Sequence, residues 1–339
     1  MEQALASGVV LSSGLGVRPL AGAALEREAA AALLTAALPH DRIDVVLDEK
    51  LFGGNGRRPS QTLGAFSGGG ELLGVLAQAG RFIKLLAVLP SAQRRGVGTA
   101  LLRAARAFVA APEAGDGGRP RLRIGDCAGN YLSPGVDERY AAARDFFTAR
   151  GFVEVGRNLN LRAALADHPL VTAERAEALE HRARDAGYRL LRAGAAEAPA
   201  LLELVEREFS WWWAYELRRA LGPTLPLGGR WDEGEPTAHT PELPEGSGVH
   251  VALDAAGAPV AFAAHDGNNR GLGWFGPMGT LPAHRGHGLG EALLLRCLLD
   301  VRDRADGGVI AWVGPEAFYA RAAGTVPDRR FTVYEEAAS

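Results

Sequence analysis

The sequence predicts an α/β (α+β) protein in which one fold occurs twice along a single chain. Three observations lead to this prediction. The chain has 339 residues, whereas a single domain usually holds roughly 100–200. A Gly-rich segment occurs twice, at an offset of 192 residues that places Val88 onto Thr280. The same order of strand-like and helix-like segments surrounds both copies.

The Gly-rich segment shows the duplication most clearly. The first copy, residues 88–102, reads VLPSAQRRGVGTALL, and the second copy, residues 280–294, reads TLPAHRGHGLGEALL. The proline, two of the glycines and the final Ala-Leu-Leu run coincide. A repeat of this length indicates duplicated domains rather than the short units of a solenoid.

The segments around each copy follow one order. Each half is predicted to open with a short strand and a helix, at 16–20 and 24–38 in the first half and at 188–192 and 195–209 in the second. Strands precede the Gly-rich segment, at 71–79 and 81–89 and at 249–253, 259–265 and 271–280. A helix, a strand and a second helix follow it, at 97–110, 121–126 and 138–149 and at 289–304, 309–313 and 315–323. We therefore expect two domains, 1–165 and 187–339, joined by a linker helix at 166–186.

Composition and charge narrow the class of protein. Hydrophobic residues make up 47% of the chain and charged residues 23%, and the formal net charge is −3, which is typical of a soluble globular protein. The chain lacks the basic charge of a nucleic-acid-binding protein and any run of about 18 apolar residues that could span a membrane. Because Cys127 and Cys297 lie far apart, neither a disulfide framework nor a metal site is predicted. We expect a cytoplasmic protein with no nucleic-acid or membrane partner.

Each Gly-rich segment lies between a strand and a helix, which predicts an anion-binding turn. Glycines allow a sharp turn and let a ligand approach the main chain closely. The N-terminus of the following helix offers N–H groups and the positive end of its dipole, an arrangement suited to a pyrophosphate. Neither copy has the lysine of a P-loop, and Glu291 stands where a dinucleotide-binding segment has its third glycine. The alternative is a turn that begins a helix and binds no ligand.

The pattern Gln/Arg-x-x-Gly-x-Gly, between a strand with a proline at its end and an Ala-Leu-Leu helix, resembles the acyl-CoA-binding segment of the GNAT acetyltransferase superfamily. The resemblance covers nearly the whole chain, twice. It implies two tandem GNAT acyltransferase domains, each a mixed, splayed β-sheet flanked by helices, with acetyl-CoA as the cofactor. The implied CoA-binding residues of the first half are Val88, Gln93, Arg94, Arg95, Gly96, Val97, Gly98 and Thr99. Those of the second half are Thr280, Leu281, Arg285, Gly286, His287, Gly288, Leu289, Gly290 and Glu291.

The resemblance also implies which half is catalytic. Many GNAT enzymes use a tyrosine on the last helix, often within Phe-Tyr-x-x-x-Gly-Phe, as the acid that protonates the departing CoA thiolate. Phe318 and Tyr319 of the second half fit this sequence, whereas the first half has Phe147 at the tyrosine position. We therefore expect Tyr319 to be catalytic and the N-terminal half to be non-catalytic. The alternative for Tyr319 is a core residue with a buried ring.

Acetyl transfer to an amine also needs a group that accepts the amine proton. Candidates for this base are His250, His265 and Asp266 on predicted strands of the second half, and Glu208 or Asp232 in loops. An ordered water is a further possibility. For each histidine, a structural or surface role is the alternative.

Four aromatic residues after the first helix of the second half are expected to bind the acceptor. Three consecutive tryptophans cannot all face one core, because adjacent helical positions diverge by about 100°, and indole faces suit sugar rings and cations. The alternative is a plug in a domain interface. The expected acceptor-binding residues are Trp211, Trp212, Trp213 and Tyr215.

The segment 131–136, which reads YLSPGV, and the pair Phe318-Tyr319 resemble a subgroup of tandem GNAT proteins. This subgroup includes bacterial glucosamine and cell-wall amino-sugar N-acetyltransferases. The resemblance implies a small-molecule amine as the partner, with an amino sugar such as glucosamine as the leading acceptor. An aminoglycoside, a polyamine or a peptide amine is an alternative, as is a non-catalytic CoA-binding sensor or scaffold. We expect a monomer or a homodimer.

Overall fold

The computed structural model describes residues 9–10, 14–109, 120–222, 248–302 and 307–338 of the chain. The strands are β1 (Val9–Val10), β2 (Gly16–Pro19), β3 (Ser60–Phe66), β4 (Leu72–Ala79), β5 (Phe82–Val88), β6 (Arg123–Ile124), β7 (Val136–Asp137), β8 (Phe152–Ala164), β9 (Arg189–Arg192), β10 (Val249–Leu253), β11 (Pro259–His265), β12 (Trp274–Thr280), β13 (Gly307–Ile310) and β14 (Val326–Glu336). The helices are α1 (Ala24–Ala37), α2 (Ile43–Leu51), α3 (Val97–Phe108), α4 (Ala141–Thr148), α5 (Ala173–Asp185), α6 (Ala198–Glu208), α7 (Trp211–Ala220), α8 (Leu289–Arg302) and α9 (Glu316–Ala323).

The chain folds into two compact units whose boundaries differ from those predicted at 165 and 187. The N-terminal unit holds Met1–Arg157 together with Phe331–Ser339, and the C-terminal unit holds Asn158–Arg330. The difference arises because two long strands each divide at a boundary. Residues 161–164 of β8 pair with β13 in the C-terminal unit, and residues 331–335 of β14 pair with β6 and β7 in the N-terminal unit. The helix in the predicted linker is α5, which belongs to the C-terminal unit.

The sheet of the N-terminal unit has the order β1-β2-β3-β4-β5-β6-β14, with β7 also paired to β14. Its neighbouring strands are antiparallel except for β5 and β6, which are parallel. Helices α1 and α3 both pack on β4, and every residue of that strand is buried, as expected for a strand covered on both faces. Apolar residues of the strands, α3 and α4 form one core, which contains Phe147 and Tyr334.

The sheet of the C-terminal unit has the order β8-β13-β12-β11-β10-β9, and again one pair, β12 and β13, is parallel. Ala261 and Ala263 of β11 belong to the core that includes α5, α8 and α9. Phe262 and Ala264 belong to the core that includes α6 and α7. Because side chains alternate between the two faces of a strand, helices cover both faces of this sheet. The predicted fold class, a mixed sheet flanked by helices in each half, is confirmed.

In both units the parallel strands separate after a short pairing. β5 pairs with β6 at Phe82 and Ile83, and β12 pairs with β13 at Trp274 and Phe275. The next residue is Lys84 in β5 and Gly276 in β12. At Lys84 the antiparallel register between β5 and β4 is interrupted, and at Gly276 the antiparallel register between β12 and β11 is interrupted. Such irregularities bend a strand and commonly adjoin active sites. At corresponding positions of the repeat, β5 thus has an unpaired edge on the side of β6, and β12 has one on the side of β13.

Because the end of β14 belongs to the core of the N-terminal unit, we expect the replacement of Phe331 in this strand to lower the stability of the protein strongly. Phe331 is fully buried and pairs with Asp137. Replacing it by alanine removes most of a buried aromatic side chain, so we expect the free energy of unfolding to fall by about 3–5 kcal/mol. Urea unfolding followed by circular dichroism measures this change. Val326→Ala, at a 58% exposed position of the same strand, is the control, and equal effects of the two substitutions would contradict the assignment.

Candidate functional site

The two Gly-rich segments adopt the same backbone conformation at the same offset. In each, a turn of 3-10 helix leads into a loop and then into α3 or α8. Positive φ angles occur at Arg94 (61°) and Gly96 (86°) in the first loop. They occur at Gly286 (86°) and Gly288 (75°) in the second. Both loops therefore present the unpaired N–H groups of a helix N-terminus after the same turn.

The loop of the N-terminal unit is open at the residue that precedes its helix. A Cβ at Gly96 would meet no atom within 4 Å. Two residues further on, a Cβ at Gly98 would come within 2.9 Å of the Phe146 ring, so any side chain there would displace the ring. A ligand can approach the main chain at Gly96, while the missing side chain of Gly98 lets α4 pack closely on α3.

A guanidinium that the sequence analysis missed lies beside this loop. Arg150 stacks on the Phe146 ring, with its Cζ 3.8 Å from the ring centroid. Its Nε and Nη2 donate to Thr99 Oγ1 at 3.0 and 2.7 Å. Burial and the nearby charge of Arg94 lower the pKa of Arg150. Two cations at a helix N-terminus suit a pyrophosphate.

A cavity of about 550 Å³ adjoins the loop of the N-terminal unit. It is lined by β5 from Ile83 to Val88, along the edge that the separation of β5 from β6 opens. Its volume lies in the range of cofactor and small-molecule sites. Arg95 is exposed and does not line it. The cavity brings together the other predicted CoA-binding residues of this half, which are Val88, Gln93, Arg94, Gly96, Val97, Gly98 and Thr99.

The loop of the C-terminal unit is partly covered by α5. Leu179 lies 3.3 Å from the position that a Cβ at Gly288 would take. Arg175 forms an ion pair with Glu291 in the first turn of α8. Glu291 corresponds to Thr99 in the repeat, so this loop carries a carboxylate where the other carries a hydroxyl. The two loops share a backbone conformation but differ in access and charge.

The remaining predicted CoA-binding residues of the second half surround this covered loop. Arg285 Nε donates to the main-chain oxygen of Thr280 at 3.2 Å. The His287 ring lies 5.2 Å from that of Tyr188. Gly290 faces the Phe318 ring, which would lie 3.9 Å from a Cβ there, and this contact repeats that of Gly98 with Phe146. Leu281, Gly286 and Leu289 complete the loop and the first residue of α8.

Tyr319 lies close to the point where β12 and β13 separate. Its ring is 6.1 Å from that of Phe275, the last residue of β12 that pairs with β13. The residue is 6% exposed, and burial raises the pKa of its hydroxyl to about 12. The phenol therefore keeps its proton throughout the neutral range. Within the described ranges, no hydrogen bond engages this hydroxyl. In the N-terminal unit, Phe147 occupies the corresponding place among the rings of its core.

The histidines considered as bases belong to a buried polar network. His250 Nε2 lies 2.7 Å from Asp300 Oδ2. His265 lies between Asp266 Oδ2, 2.9 Å from its Nδ1, and Asp300 Oδ2, 3.2 Å from its Nε2. Arg192 also contacts Asp300, at 2.6 Å. The network links β9, β10 and β11 to α8.

The two histidines of this network have opposite pKa shifts. Burial lowers the pKa of His250. Burial also opposes the charged form of His265, but hydrogen bonds to Asp266 and Asp300 outweigh it and raise the pKa of that ring. Of the loop candidates for the base, Glu208 is paired with Arg207 at 2.7 Å, and Asp232 lies outside the described residues.

The raised pKa of His265 predicts a pH-dependent effect of its replacement. A group with a raised pKa stabilises the folded state fully below its unfolded pKa of about 6.5, and this contribution is lost as the pH rises through the folded pKa. We expect His265→Asn to lower the Tm more at about pH 5.5 than at about pH 8.5. His181→Asn, at an exposed position of α5, is the control. A Tm decrease that is the same at both pH values would contradict the charged form of His265.

The four aromatic residues expected at the acceptor site differ in burial. Trp213 is 38% exposed and stacks on Phe209, with centroids 5.7 Å apart. Tyr215 is buried and stacks on Trp211 at 5.3 Å, and Trp212 meets Trp211 edge to face. Of the four, Trp213 has the most exposed side chain.

The Trp213–Phe209 stack lies against the strand that leads into the second Gly-rich loop. A Cβ at Gly279 of β12 would come within 2.5 Å of the Phe209 ring, so that ring lies directly on the strand. The neighbouring Phe262 ring meets Phe209 edge to face at 5.2 Å. The stack thus places an exposed indole close to the opened part of the sheet.

Solved structures resemble the whole chain. A glucosamine N-acetyltransferase region of a fungal multi-domain β-N-acetylglucosaminidase is similar, with a TM-score of 0.70 and 17% identity over 96% of this chain, which spans 38% of that one. A GCN5-related N-acetyltransferase from Sphaerobacter thermophilus has a TM-score of 0.59 and 16% identity, with 96% of both chains covered. A tandem GNAT protein from the clavulanic acid biosynthesis pathway has a TM-score of 0.60 and 21% identity, over 96% of this chain and 99% of that one.

The chain has the tandem GNAT fold. The resemblance drawn from the repeated Gly-rich segment is confirmed at the level of the fold, which is what identities below 25% establish. No protein-family model matches the sequence, and no curated protein matches it.

Within the described ranges, no helix has the length and apolar character needed to span a membrane. The same ranges contain no group of three or more side chains placed to hold a metal ion.

Proposed function

We propose that this tandem GNAT protein is an acetyl-CoA-dependent N-acetyltransferase that acetylates the primary amine of a small molecule. The observation that carries the proposal is the Gly-rich loop beside separated parallel strands, which occurs with the same backbone in both units and is open in the N-terminal unit. In the N-terminal unit, two guanidinium groups and a cavity of about 550 Å³ fit a ligand with a pyrophosphate and a long acyl arm. We further propose that the protein acts in the cytoplasm, as a monomer or a homodimer.

The proposed reaction needs a proton donor at the leaving sulfur. The amine nitrogen attacks the thioester carbonyl carbon, the C–S bond breaks, and the thiolate gains a proton while the amine loses one. We assign the donor role to Tyr319 because burial raises the pKa of its hydroxyl, which therefore keeps its proton, and because its ring lies beside Phe275, where β12 and β13 separate. We assign the amine proton to a water molecule, because His250 and His265 are engaged with Asp300.

An amino sugar such as glucosamine is the acceptor that we propose. The similarity of residues 131–136 to amino-sugar acetyltransferases favours it, and the similar fungal region is described as a glucosamine N-acetyltransferase. The exposed face of Trp213 supplies a flat apolar surface on which a sugar ring can pack. Trp211, Trp212 and Tyr215 would support this surface from within and beside α7.

A panel of amines tests the proposed acceptor. Release of free CoA thiol from acetyl-CoA would be measured with glucosamine, muramyl sugars, aminoglycosides, polyamines and peptides. We expect release with amino sugars and little with the other amines, and we expect Trp213→Ala to raise the KM for the sugar. Release with polyamines or peptides alone would overturn the sugar assignment and leave the acetyltransferase assignment standing.

A non-catalytic CoA-binding protein is the second candidate, and one observation favours it. The loop next to Tyr319 is covered by α5, through Leu179 over Gly288 and Arg175 paired with Glu291. A covered loop binds a pyrophosphate less readily than an open one. The two candidates differ in one measurable respect, because a sensor or scaffold would bind acetyl-CoA without transferring the acetyl group to any amine.

A further inference from the structure

We propose that Asn160 is a positioning residue of the C-terminal unit, whose side-chain amide holds the segment 311–314 away from β12 and so fixes where α9 presents Tyr319. The proposal rests on the proposed function, because Tyr319 is the group that must be placed. Two departures from ordinary local structure meet in one hydrogen bond here, a buried amide that is only partly satisfied and a tryptophan with positive φ.

Asn160 lies on β8 at the place where β13 leaves β12. Ile310 is the last residue of β13 that pairs with β12, through Phe275, and on its other side it pairs with Leu161 of β8. Asn160 therefore lies one residue beyond the point at which all three strands are in register. It adjoins the segment that leads from β13 to α9.

One main-chain hydrogen bond determines the orientation of the Asn160 amide. The Trp312 N–H donates to Asn160 Oδ1 at 3.0 Å, and a main-chain N–H can only donate. The oxygen of the amide must therefore face Trp312, with Nδ2 on the other side. Asn160 is 0% exposed, and among the described residues its Nδ2 has no hydrogen-bond partner. Because a buried donor without an acceptor is unfavourable, this amide stabilises the fold less than an apolar side chain of its shape would.

The N-terminal unit has an apolar residue at the corresponding position. In each unit the last paired residue of the parallel strand, Ile124 or Ile310, lies opposite a residue of a long strand. The residue before that one is Val333 in the N-terminal unit and Asn160 in the C-terminal unit, and both are buried. The position thus accepts an apolar side chain in one copy of the fold and carries an amide in the copy that has Tyr319.

Trp312 has a backbone conformation that a large side chain disfavours. Its φ is 51°, in the left-handed region that bulky residues rarely adopt. Asp126, at the corresponding place after β6, has a φ of 42°, but aspartate tolerates this region better. Strain of this kind persists only where the surrounding contacts enforce it, and it is concentrated at functional sites. The hydrogen bond to Asn160 is such a contact.

Two successive N–H groups after β13 are directed to β8. The Val313 N–H donates to the main-chain oxygen of Leu159 at 2.9 Å, and the Trp312 N–H donates to the Asn160 side chain. In a regular strand successive N–H groups point to opposite edges, so one of the two would face β12. Because β8 binds both, the segment 311–314 follows β8 and separates from β12.

Open space borders both of the chain segments that separate. Among the described residues, a Cβ at Gly276 of β12 or at Gly314 would meet no atom within 4 Å. Helix α9 begins at Glu316, only two residues after Gly314, and carries Tyr319 as its fourth residue. A shift of the segment 311–314 therefore moves the start of α9 and, with it, the tyrosine.

Asn160→Val, which introduces the residue that the N-terminal unit has at this position, tests the proposal. We expect kcat for acetyl transfer from acetyl-CoA to glucosamine to fall at least about tenfold, because a misplacement of about 1 Å can cost about 100-fold. The KM for acetyl-CoA should change little. The Tm should be no lower than that of the wild type, since the substitution removes a partly satisfied buried amide. A lower Tm with unchanged kcat would show a merely structural role and overturn the proposal.

Thr325→Val is the matched control. Thr325 lies in the same unit and is 7% exposed, and its Oγ1 has no hydrogen-bond partner in the part of the chain that the structure describes. The substitution also removes a buried polar group, but one that makes no hydrogen bond to the segment 311–314. We expect its kcat to equal that of the wild type, and a loss as large as that of Asn160→Val would overturn the proposal.

A double-mutant cycle tests whether Asn160 acts through Trp312. Glycine adopts a φ of 51° without strain, so in Trp312→Gly the segment no longer depends on the amide. We expect Asn160→Val to lower kcat by less than about threefold in that background, which is the signature of two coupled positions. An equal loss of kcat in both backgrounds would contradict the proposal.

Crystal structures of the wild type and of Asn160→Val give a readout that does not depend on activity. We expect φ of residue 312 to become negative in the variant and the segment 311–314 to move toward β12. An unchanged segment would overturn the proposal even in an active acetyltransferase. The proposed function fails separately, if the segment moves as expected but no amine causes thiol release in the wild type.

Discussion

Replacing Tyr319 by phenylalanine should lower kcat for acetyl transfer by about 100-fold, at the lower end of the contribution expected from a general acid. The KM for acetyl-CoA should change little. The phenylalanine ring retains the contact with Phe275, and the lost hydroxyl has no hydrogen-bond partner in the described part of the chain. Stability is therefore expected to stay constant, so the loss would report the missing proton donor. Steady-state thiol release measures kcat, and a thermal melt measures stability.

A tyrosine in the other unit provides the control for this substitution. Tyr334 is 7% exposed, compared with 6% for Tyr319, and its ring stacks on that of Phe147. Tyr334→Phe makes the same chemical change at a similar depth and should leave kcat unchanged. Because burial raises the pKa of Tyr319 to about 12, kcat of the wild type should not fall through its ionisation below about pH 10. Full activity of Tyr319→Phe would remove Tyr319 from the mechanism.

Introducing a carboxylate at Gly96 should nearly abolish CoA binding to the N-terminal loop. Gly96 has a φ of 86°, which asparagine and aspartate tolerate better than other non-glycine residues, and a Cβ there meets no atom within 4 Å. Gly96→Asp would place a negative charge beside the expected pyrophosphate. At an effective dielectric constant of about 20, two such charges about 4 Å apart repel by roughly 4 kcal/mol. We expect CoA affinity at this loop to fall by at least about 100-fold.

Gly96→Asn separates charge from backbone strain. Asparagine has the shape of aspartate without its charge, so we expect it to weaken CoA binding by less than about tenfold. Isothermal titration of the full chain with CoA reports affinity and stoichiometry for both variants. If Gly96→Asp and Gly96→Asn bind CoA equally, the loop does not hold the pyrophosphate.

The tandem fold was predictable from the sequence because its defining segment is local and occurs twice. Residues 88–102 and 280–294 contain the end of a strand, the turn and the helix start within a few positions. The turn needs positive φ at two fixed places, and glycine stands at both in the second copy and at one of them, Gly96, in the first. The predicted helices at 97–110 and 289–304 accordingly agree with α3 and α8 to within two residues.

The exchange of strands between the two halves could not be predicted in this way. β14 pairs with β6 and β7 in the N-terminal unit, and its pairing with β6 spans about two hundred positions of the chain. Nothing in the local alternation of residues encodes a partner that distant. The strand Ser60–Phe66 and the helix Ile43–Leu51 were not predicted either.

The charge of each loop also depends on residues that are distant in sequence. Arg150 reaches Thr99 from 51 positions away, and Arg175 reaches Glu291 from 116. The repeated segment therefore predicted two similar loops. It did not show that one is open and flanked by two guanidinium groups while the other is covered by α5. The hydrogen bond of Trp312 to Asn160 likewise spans 152 positions.

Product formation tests most directly whether the chain transfers an acetyl group from acetyl-CoA to an amine. The full chain would be incubated with acetyl-CoA and glucosamine, and N-acetylglucosamine would be measured by mass spectrometry together with free CoA thiol. We expect the two products to appear in equal amounts and both to depend on glucosamine. Tight binding of acetyl-CoA with no acetylated product from glucosamine or from any other amine would contradict it and favour a protein that binds CoA without catalysis.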